Sequence, residues 1–310
     1  MSSTTLEGRT AIVTGAGAGL GRAEALALAA AGARVVVNDI GAGADAVAAE
    51  IRAAGGEAIG VSGDIGDWAL GDTLVAAAVD GFGSLDIVLN NAGITRDTMI
   101  FNLTEQDWDD VIRVHLKGHA SLSRAAAVHW RSASKAAGGP VYGRLINTSS
   151  EAFLFGSAGQ PNYSAAKAGI TALTLSAAQG LSRYGVTANA ICPRARTAMT
   201  QSVFAEDPAG SDNELDILAP ERVATFAGYL ASPAAVGING QVFIVYGDMV
   251  ALMAAPTVER KFTAAGGTFS LGELDAQVTP HFEGRSPWQT YAAYSVAELD
   301  TTGVQNLAHG

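Results

Sequence analysis

A tyrosine and a lysine four residues apart have the types and the spacing that proton transfer requires. Tyr163 and Lys167 stand at the ends of the run Tyr-Ser-Ala-Ala-Lys, and residues four apart on a helix lie on one face. An ammonium beside a phenol favours the ionised phenol, so the pKa of the tyrosine would fall from about 10 towards neutral pH. Such a pair can move a proton to or from an alcohol. By itself the spacing is a weak signal, because most such pairs lie on a solvated helix surface.

A glycine-rich loop upstream has the composition of a dinucleotide-binding turn. The run Thr-Gly-Ala-Gly-Ala-Gly-Leu-Gly at 14–21 follows an apolar segment and opens an alanine-rich helical pattern. Glycines there allow a tight turn and bring the backbone close to a pyrophosphate at the helix N-terminus. A strand before the loop and a helix after it make this signal much stronger than the glycines alone.

The carboxylate of Asp39, at the end of the next predicted strand, indicates which dinucleotide is bound. At that place a carboxylate can accept hydrogen bonds from both adenosine ribose hydroxyls, and it repels a 2′-phosphate. Residues 16–18 include neither Arg nor Lys, so no basic side chain within the loop awaits that phosphate. We therefore predict NAD rather than NADP as the cofactor; a turn or helix-capping role is the alternative for Asp39.

Short β-branched segments alternate with long alanine- and leucine-rich helical patterns along most of the chain. Such alternation predicts βαβ units, and strands that are apolar throughout indicate a sheet covered on both faces. The predicted strands are 10–14, 34–39, 58–62, 85–90, 144–148, 187–192 and 241–246. The predicted helices are 20–31, 44–54, 67–81, 105–136, 163–184 and 220–232. The fold class is therefore α/β, a Rossmann-type, doubly wound, seven-stranded parallel sheet with helices on both faces.

Two regions of the chain differ in composition. Residues 1–247 hold all seven predicted strands and form the predicted NAD-binding domain, which also carries the candidate catalytic residues. Residues 248–310 are richer in Pro, Gly and aromatic residues. We interpret them as a C-terminal extension that packs on the domain or on a partner subunit, not as an independent domain.

The composition argues against several classes of function. Of the 310 residues, 48% are hydrophobic and 16% are charged, which favours a large core over a disordered chain. The formal net charge is -11, so nucleic acids and anionic membranes are poor partners. The chain has no signal-peptide pattern, no run of 18 uncharged apolar residues, and one cysteine, Cys192. These features predict a cytoplasmic protein.

Five short motifs occur in order at spacings that resemble those of the short-chain dehydrogenase/reductase family. The glycines follow Thr-Gly-x-x-x-Gly-x-Gly rather than the commoner Gly-x-Gly-x-x-Gly. The others are Asp-Ile at 64–65, Asn-Asn-Ala-Gly at 90–93, Ser-Ser at 149–150 and the Tyr163–Lys167 pair. The resemblance covers about residues 6–247. It selects Ser150 over Ser149, because Ser150 lies thirteen residues before Tyr163.

This resemblance implies a role for each motif. In the alcohol-oxidising direction Tyr163 would act as general base, Ser150 would hold the substrate oxygen, and Lys167 would lower the pKa of Tyr163 and hold the nicotinamide ribose. No metal is expected. The residues expected to bind NAD are Gly15, Gly19, Leu20, Gly21, Asp39, Asp64, Ile65, Asn91, Ala92, Gly93, Tyr163 and Lys167.

Within that family the chain more closely resembles the (3R)-hydroxyacyl-CoA dehydrogenase part of peroxisomal multifunctional enzyme type 2, also called 17β-hydroxysteroid dehydrogenase type 4, and its bacterial relatives. The similar segments are 14–22, 36–39, 90–97, 114–118, 142–150 and 159–167. These relatives carry His where the wider family has Asn, and here that residue is His115. Its imidazole would hold a water that passes protons to Lys167, or His115 would be a buried structural residue. Both interpretations stay open.

A second departure from the family follows the sixth predicted strand, where Pro-Gly is replaced by Pro193-Arg194. We expect Arg194 and Arg196 to face a CoA phosphate or to lie in solvent. The region at 199–200 and the helix at 220–232 are expected to border the substrate pocket. The apolar run at 153–155 either lines that pocket or packs in the core, and both interpretations stay open.

Together these features predict an NAD-dependent oxidoreductase that interconverts a secondary alcohol and a ketone. The leading hypothesis is a (3R)-hydroxyacyl-CoA dehydrogenase; a 17β-hydroxysteroid dehydrogenase, or one enzyme with both activities, is the alternative. Asp39 disfavours a 3-oxoacyl reductase, because that role generally uses NADPH, and the intact catalytic set disfavours a silent NAD-binding protein. The partner would be a small molecule, an acyl-CoA thioester or a steroid. The family resemblance also implies a homodimer or homotetramer built on the helices at 105–136 and 163–184.

Overall fold

A parallel β-sheet covered by helices on both faces forms the centre of the computed structural model. The model describes residues 4–197, 216–286, 289–293, 295–296 and 299. Within that part of the chain the sheet has eight strands in the order β3-β2-β1-β4-β5-β6-β7-β8. Their bounds are β1 Thr10–Thr14, β2 Arg34–Asp39, β3 Ala58–Ser62, β4 Ile87–Asn90, β5 Gly143–Thr148, β6 Val186–Arg194, β7 Val242–Tyr246 and β8 Met249–Leu252.

The predicted fold class is confirmed, but the predicted strand count was one too low. The first seven strands are parallel, as expected. The eighth reverses direction and pairs antiparallel with β7. Gly247 has a φ of 58°, a conformation that glycine adopts without strain, so the chain can turn back within two residues. A four-residue strand at a sheet edge has too short a pattern for periodicity to reveal.

Two layers of helices cover the sheet, and consecutive strand residues point into different layers. Val13 of β1 packs against the helices at 19–30, 43–53 and 220–231 on one face of the sheet. Its neighbour Ile12 packs into the cluster on the opposite face. The helices are α1 Gly19–Ala30, α2 Gly43–Ala53, α3 Leu70–Phe82, α4 Glu105–Ile112, α5 Gly118–Ala137, α6 Ala152–Phe155, α7 Pro161–Leu181, α8 Pro220–Ala231 and α9 Leu271–Phe282. Helices α1, α2 and α8 pack on one face, and α3, α5 and α7 pack on the other.

The long helix predicted at 105–136 is interrupted by a π-helical turn. Helix α4 ends at Ile112, residues Arg113–Lys117 form the wider turn, and α5 continues the helix from Gly118. An insertion of this kind changes which side chains face the sheet, and such turns recur at functional sites. His115 lies in the middle of the turn.

Helices α6 and α9 were not predicted. Helix α6 has only four residues, and α9 lies in the C-terminal region, where Ser270 and Glu273 form a capping box at its start. None of the helices in the described ranges is long and apolar enough to cross a membrane.

The strand order places a topological switch point between β1 and β4. The chain leaves β1 towards β2 on one side and later returns to β4 on the other side. Connections that diverge in this way leave a crevice at the carboxyl ends of the two strands, where open α/β sheets bind their ligands. The motifs found in the sequence follow β1, β2, β3, β4 and β5, so the fold brings them to this one edge.

Candidate active site

The three catalytic candidates Ser150, Tyr163 and Lys167 line one cavity of about 280 Å³ at the switch point. Ser150 follows the carboxyl end of β5, whereas Tyr163 and Lys167 lie in the first two turns of α7. Pro161 is the first residue of that helix, where the fixed φ of proline suits the first turn. The strand end and the helix start thus bring the serine hydroxyl and the phenol to the same cavity.

The glycine loop forms the floor of this cavity and has no room for larger side chains. Gly15 has a φ of 62°, and a Cβ atom on it would lie 2.7 Å from the Cα of Ala92. A Cβ atom on Gly21 would lie 2.4 Å from the carbonyl oxygen of Gly15. The Asn91 side-chain amide donates to that same carbonyl oxygen at 3.2 Å. The loop is therefore held open and close to the β4 edge, with its backbone exposed to a ligand.

The carboxylate of Asp39 is held by the backbone around it. Its Oδ2 accepts from the Gly17 amide at 2.9 Å, and its Oδ1 accepts from the Ile40 amide at 2.7 Å. These bonds fix the orientation of the carboxylate at the rim between two adjoining cavities, both of which it lines. The contact with Gly17 also explains that glycine, because a Cβ atom there would lie 2.8 Å from the Asp39 Cγ.

The second cavity, of about 270 Å³, continues from the first. The two share Gly15, Asp39, Ala92 and Gly93. Their combined length runs from Asp64 and Ile65 past the glycine loop to Tyr163. A recess of this form, with glycines whose Cβ positions are blocked and a carboxylate at its middle, fits a nicotinamide dinucleotide.

Asp64 is tied to the π-helical turn across the second cavity. Arg113 donates to its Oδ2 at 2.6 Å, and the Gly66 amide donates to its Oδ1 at 2.8 Å. Burial acts to raise the pKa of Asp64, but these two bonds outweigh it and hold the pKa below its usual value. The carboxylate is thus ionised and oriented at the far end of the recess.

The pKa values of the tyrosine and the lysine differ from the sequence expectation. Although part of Tyr163 is open to the cavity, burial raises its pKa to about 12, against a smaller lowering by the Ser150 hydroxyl. Burial also lowers the pKa of Lys167 to about 7. The Lys167 Nζ lies 5.3 Å from the centroid of the Tyr163 ring and donates to the Thr148 carbonyl oxygen at 2.7 Å. The predicted lowering of the tyrosine pKa is therefore wrong for this structure, because a half-charged ammonium bonded elsewhere stabilises a phenolate weakly.

His115 is buried behind the catalytic pair. Its ring meets that of Tyr163 edge-on, with 5.2 Å between the centroids. The Nε2 atom lies 2.9 Å from the Ile94 amide nitrogen and 2.7 Å from the Ile94 carbonyl oxygen. Burial, and then the charge of Lys167, lower the pKa of His115 well below its usual value, so the imidazole is neutral. Its Nδ1 atom is buried without a hydrogen-bond partner, which leaves one nitrogen for a ligand or a water.

Of the two arginines at the end of β6, only Arg194 lies in neither of the predicted settings. Arg194 is buried and pairs with Glu151, so the expectation that it faces a CoA phosphate or solvent is wrong. Arg196 pairs with Asp216 at 2.9 Å and is partly exposed, and its predicted role stays a prediction. The sequence carried one signal for the pairing of Arg194: an acidic residue directly after Ser150. The region at 199–200 lies outside the described residues.

The other predicted pocket residues line two different cavities. Phe153 and Leu154 of α6 line a separate cavity of about 730 Å³ whose other walls come from residues after 252. Leu20, Asn91 and Pro193 line the first cavity with the catalytic candidates. Across the described part of the chain, no group of three or more His, Cys, Asp or Glu side chains could hold a metal ion.

Comparisons with known proteins agree with this geometry. Residues 9–208 match the family model described as short chain dehydrogenase. The chain is 56% identical over 299 residues to the hydroxyacyl-CoA dehydrogenase ChsB1 of Mycobacterium tuberculosis, with 94% of each chain covered. It is 39% identical to peroxisomal multifunctional enzyme type 2 of Mus musculus, over 72% of this chain and 30% of that one. A crystal structure of a short chain dehydrogenase from Mycobacterium avium superposes with a TM-score of 0.80 at 45% identity, covering 91% of this chain and 97% of that chain.

Proposed function

The chain belongs to the short-chain dehydrogenase family and is an oxidoreductase that uses a nicotinamide cofactor, and from that premise we propose that it oxidises (3R)-hydroxyacyl-CoA thioesters with NAD. One observation carries the proposal. The Ser150 hydroxyl, the Tyr163 phenol and the Lys167 ammonium line the same cavity as the glycine loop. A secondary alcohol in that cavity meets a hydrogen-bonding hydroxyl and a proton-transferring phenol together.

Ser150 and Tyr163 divide the work on the substrate oxygen. The Ser150 hydroxyl donates a hydrogen bond to that oxygen and holds it against the phenol. In the ketone-reducing direction the Tyr163 phenol, whose pKa is about 12, gives its proton to the oxygen. In the alcohol-oxidising direction the phenolate takes the hydroxyl proton. A bound nicotinamide accepts or supplies the hydride, and that chemistry belongs to the cofactor.

Lys167 and His115 lie where they can return a proton to Tyr163 or remove one from it. A pKa of about 7 lets Lys167 gain or lose a proton at neutral pH. His115 lines the same cavity and is neutral, and its Nδ1 is buried without a partner, so it can bind a water without adding a second charge near Lys167. We include His115 in the proton path for this reason.

The choice of NAD rests on Asp39. Its carboxylate is fixed by two backbone amides and cannot swing away from a 2′-phosphate without losing both bonds. The negative charges of the Asp39 carboxylate and of a 2′-phosphate would repel each other in a partly dehydrated pocket. We expect kcat/KM to be at least about 100-fold higher with NAD than with NADP, and Asp39→Ser to reduce that ratio by about tenfold or more.

The acyl-CoA assignment draws on the relatives. The most extensive of the three similarities, at 56% identity, is to a hydroxyacyl-CoA dehydrogenase. The apolar helix α6 begins two residues after Ser150, and its Phe153 and Leu154 line the separate cavity of about 730 Å³. Apolar walls discriminate weakly between bulky apolar substrates. For that reason a 17β-hydroxysteroid stays in the test as a competing substrate.

A substrate panel tests the proposal. The panel contains (3R)- and (3S)-hydroxyacyl-CoAs and 17β-hydroxysteroids, each assayed with NAD and with NADP. We expect turnover of the (3R)-thioesters with NAD and its loss, on the order of 10²–10⁴-fold, in Tyr163→Phe. Tyr184→Phe, which removes a hydroxyl from the far end of the same helical segment, serves as the matched control and keeps its activity. Turnover of steroids alone, or near-normal activity of Tyr163→Phe, would contradict the proposal.

A further inference from the structure

We propose that Arg194 is a positioning residue that holds the Ser150 loop through Glu151 and links that loop to the C-terminal region. This inference rests on the proposed function, in which Ser150 orients the substrate oxygen. The family resemblance places a glycine at this position, and a glycine has no side chain to make these contacts. Arg194 therefore adds side-chain hydrogen bonds next to the site that the shared motifs do not provide.

The ion pair between Arg194 and Glu151 is bidentate and buried. The arginine Nε donates to Oε2 and its Nη2 donates to Oε1, both at 2.6 Å. The side chains are 3% and 11% exposed, respectively. Two parallel bonds between a planar guanidinium and a carboxylate fix both side chains in position and direction. A buried pair of this kind adds little net stability over apolar residues of similar size, which makes a role in geometry the stronger explanation.

Glu151 is the residue that follows Ser150, so the ion pair acts directly on the serine. On the other side, the Ser149 hydroxyl donates to the Lys167 carbonyl oxygen at 3.0 Å. Ser150 thus lies between one neighbour anchored to α7 and another anchored to β6. With both neighbours fixed, the backbone of Ser150 is held where this residue lines the cavity shared with Tyr163, and its hydroxyl accepts from the Ala152 amide at 3.2 Å.

Arg194 also joins the C-terminal region to this loop. Its Nη2 donates to the carbonyl oxygen of Val296 at 3.2 Å. The Ala293 amide donates to the carbonyl oxygen of Leu154, in α6, at 2.9 Å. Val296 is buried in a cluster with Cys192 and Ile244 of the sheet. A displacement of Ala293 or Val296 would therefore reach the Ser150 loop through the Leu154 carbonyl oxygen and through the Arg194 side chain.

Kinetics of variants at the ion pair test this inference. We expect Arg194→Met and Glu151→Gln each to lower kcat on the order of 10–100-fold. The KM for NAD should stay within about twofold, because neither residue lines the second cavity, which contains Asp39 and Asp64. If the pair acts as one unit, Arg194→Met combined with Glu151→Gln loses no more kcat than one change alone. Arg194→Lys keeps the charge and recovers part of the loss.

Two further variants separate the possible outcomes. Arg124→Met breaks another bidentate ion pair, with Asp72 on the outer surface, and is the matched control that keeps wild-type kcat. A folded Arg194→Met with kcat within twofold of wild type would overturn the inference; if that variant does not fold, the same criterion applies to Glu151→Gln. Ser150→Ala is measured alongside. If Ser150→Ala retains activity, the proposed function fails; if only the ion-pair variants retain it, the positioning role alone fails.

Discussion

At the scale of single residues, a buried lysine with a pKa of about 7 can change its charge at the pH where the enzyme works. The Lys167 Nζ donates a hydrogen bond to the Thr148 carbonyl oxygen, and the Thr148 hydroxyl is buried without a partner. An ammonium with so few partners is costly to bury. The structure keeps this costly group beside the phenol, as expected when stability is given up for a working site.

Replacing Lys167 by Met should therefore abolish activity without destabilising the protein. The folded-state pKa of about 7 lies below the unfolded value of about 10.4, so the unfolded state binds more protons between these values. Lys167 therefore lowers the free energy of unfolding of the wild type by about 3 kcal/mol at pH 8, and this loss disappears as the pH rises through 10.4. In Lys167→Met the Thr148 carbonyl oxygen loses its hydrogen bond, which costs about 1–3 kcal/mol and offsets part of this gain in stability.

Thermal unfolding and turnover check this prediction together. We expect kcat to fall on the order of 10²–10⁴-fold, while the unfolding midpoint at pH 8 is equal to or above that of the wild type. The difference in midpoint should shrink between pH 8 and pH 10. Lys135→Met, at the exposed end of α5, is the control and should change neither quantity. A midpoint several degrees below wild type would refute the argument.

At the scale of elements, the π-helical turn and the start of α5 bury two histidines close to the catalytic pair. His115 lies in the turn and His119 in the first turn of α5. Burial lowers the pKa of His119 to about 3, with a further contribution from Lys167. Its Nε2 atom is buried without a partner. Both imidazoles are therefore neutral in the folded protein across the physiological range.

These histidines should make the protein lose stability as the pH falls below about 6.5. The unfolded chain takes up protons there while the folded chain does not, so His119, with its pKa of about 3, costs about 2 kcal/mol at pH 5. His115 acts in the same direction. Denaturant unfolding of His119→Gln should show a drop from pH 7 to pH 5 that is smaller by about this amount than the wild-type drop. Burial also lowers the pKa of His129, but this residue is only partly buried, so His129→Gln serves as the comparison variant, and its pH dependence should lie between those of the wild type and His119→Gln. Equal slopes for all three proteins would contradict the assignment.

The same elements show what the sequence could and could not predict. Strands β1, β2 and β3 have the predicted bounds, because apolar runs between turn residues are unambiguous when both sheet faces are covered. The π-helical turn, α6 and β8 were missed: each is five residues or shorter and depends on tertiary contacts. The site residues could be chosen from their spacing, but the ion pair of Arg194 and the raised pKa of Tyr163 follow from burial, which no motif records.

At the scale of the whole molecule, two exposed apolar side chains stand on the long helices that cover one face of the sheet. Val128 of α5 is 56% exposed and Leu175 of α7 is 40% exposed. Helices α5 and α7 pack next to each other, so their outer faces form a continuous surface with many alanine and serine residues. Small residues on adjacent helices allow close approach of another helix pair.

We propose that this surface joins two copies of the chain, as the family resemblance implies, and that charges placed on it will separate them. Carboxylates from Val128→Glu combined with Leu175→Glu would be buried without partners in a symmetric interface, because both copies carry the same added charges. Light scattering after size-exclusion chromatography should give the monomer mass for this variant and a dimer or tetramer for the wild type. Val236, which is 67% exposed and lies outside both helices, supplies the control Val236→Glu, which should keep the wild-type mass. An unchanged mass would exclude α5 and α7 from the interface. The catalytic residues of α7 lie in its first two turns, away from Leu175. A monomer that retains NAD binding would therefore show that assembly and cofactor binding are separate.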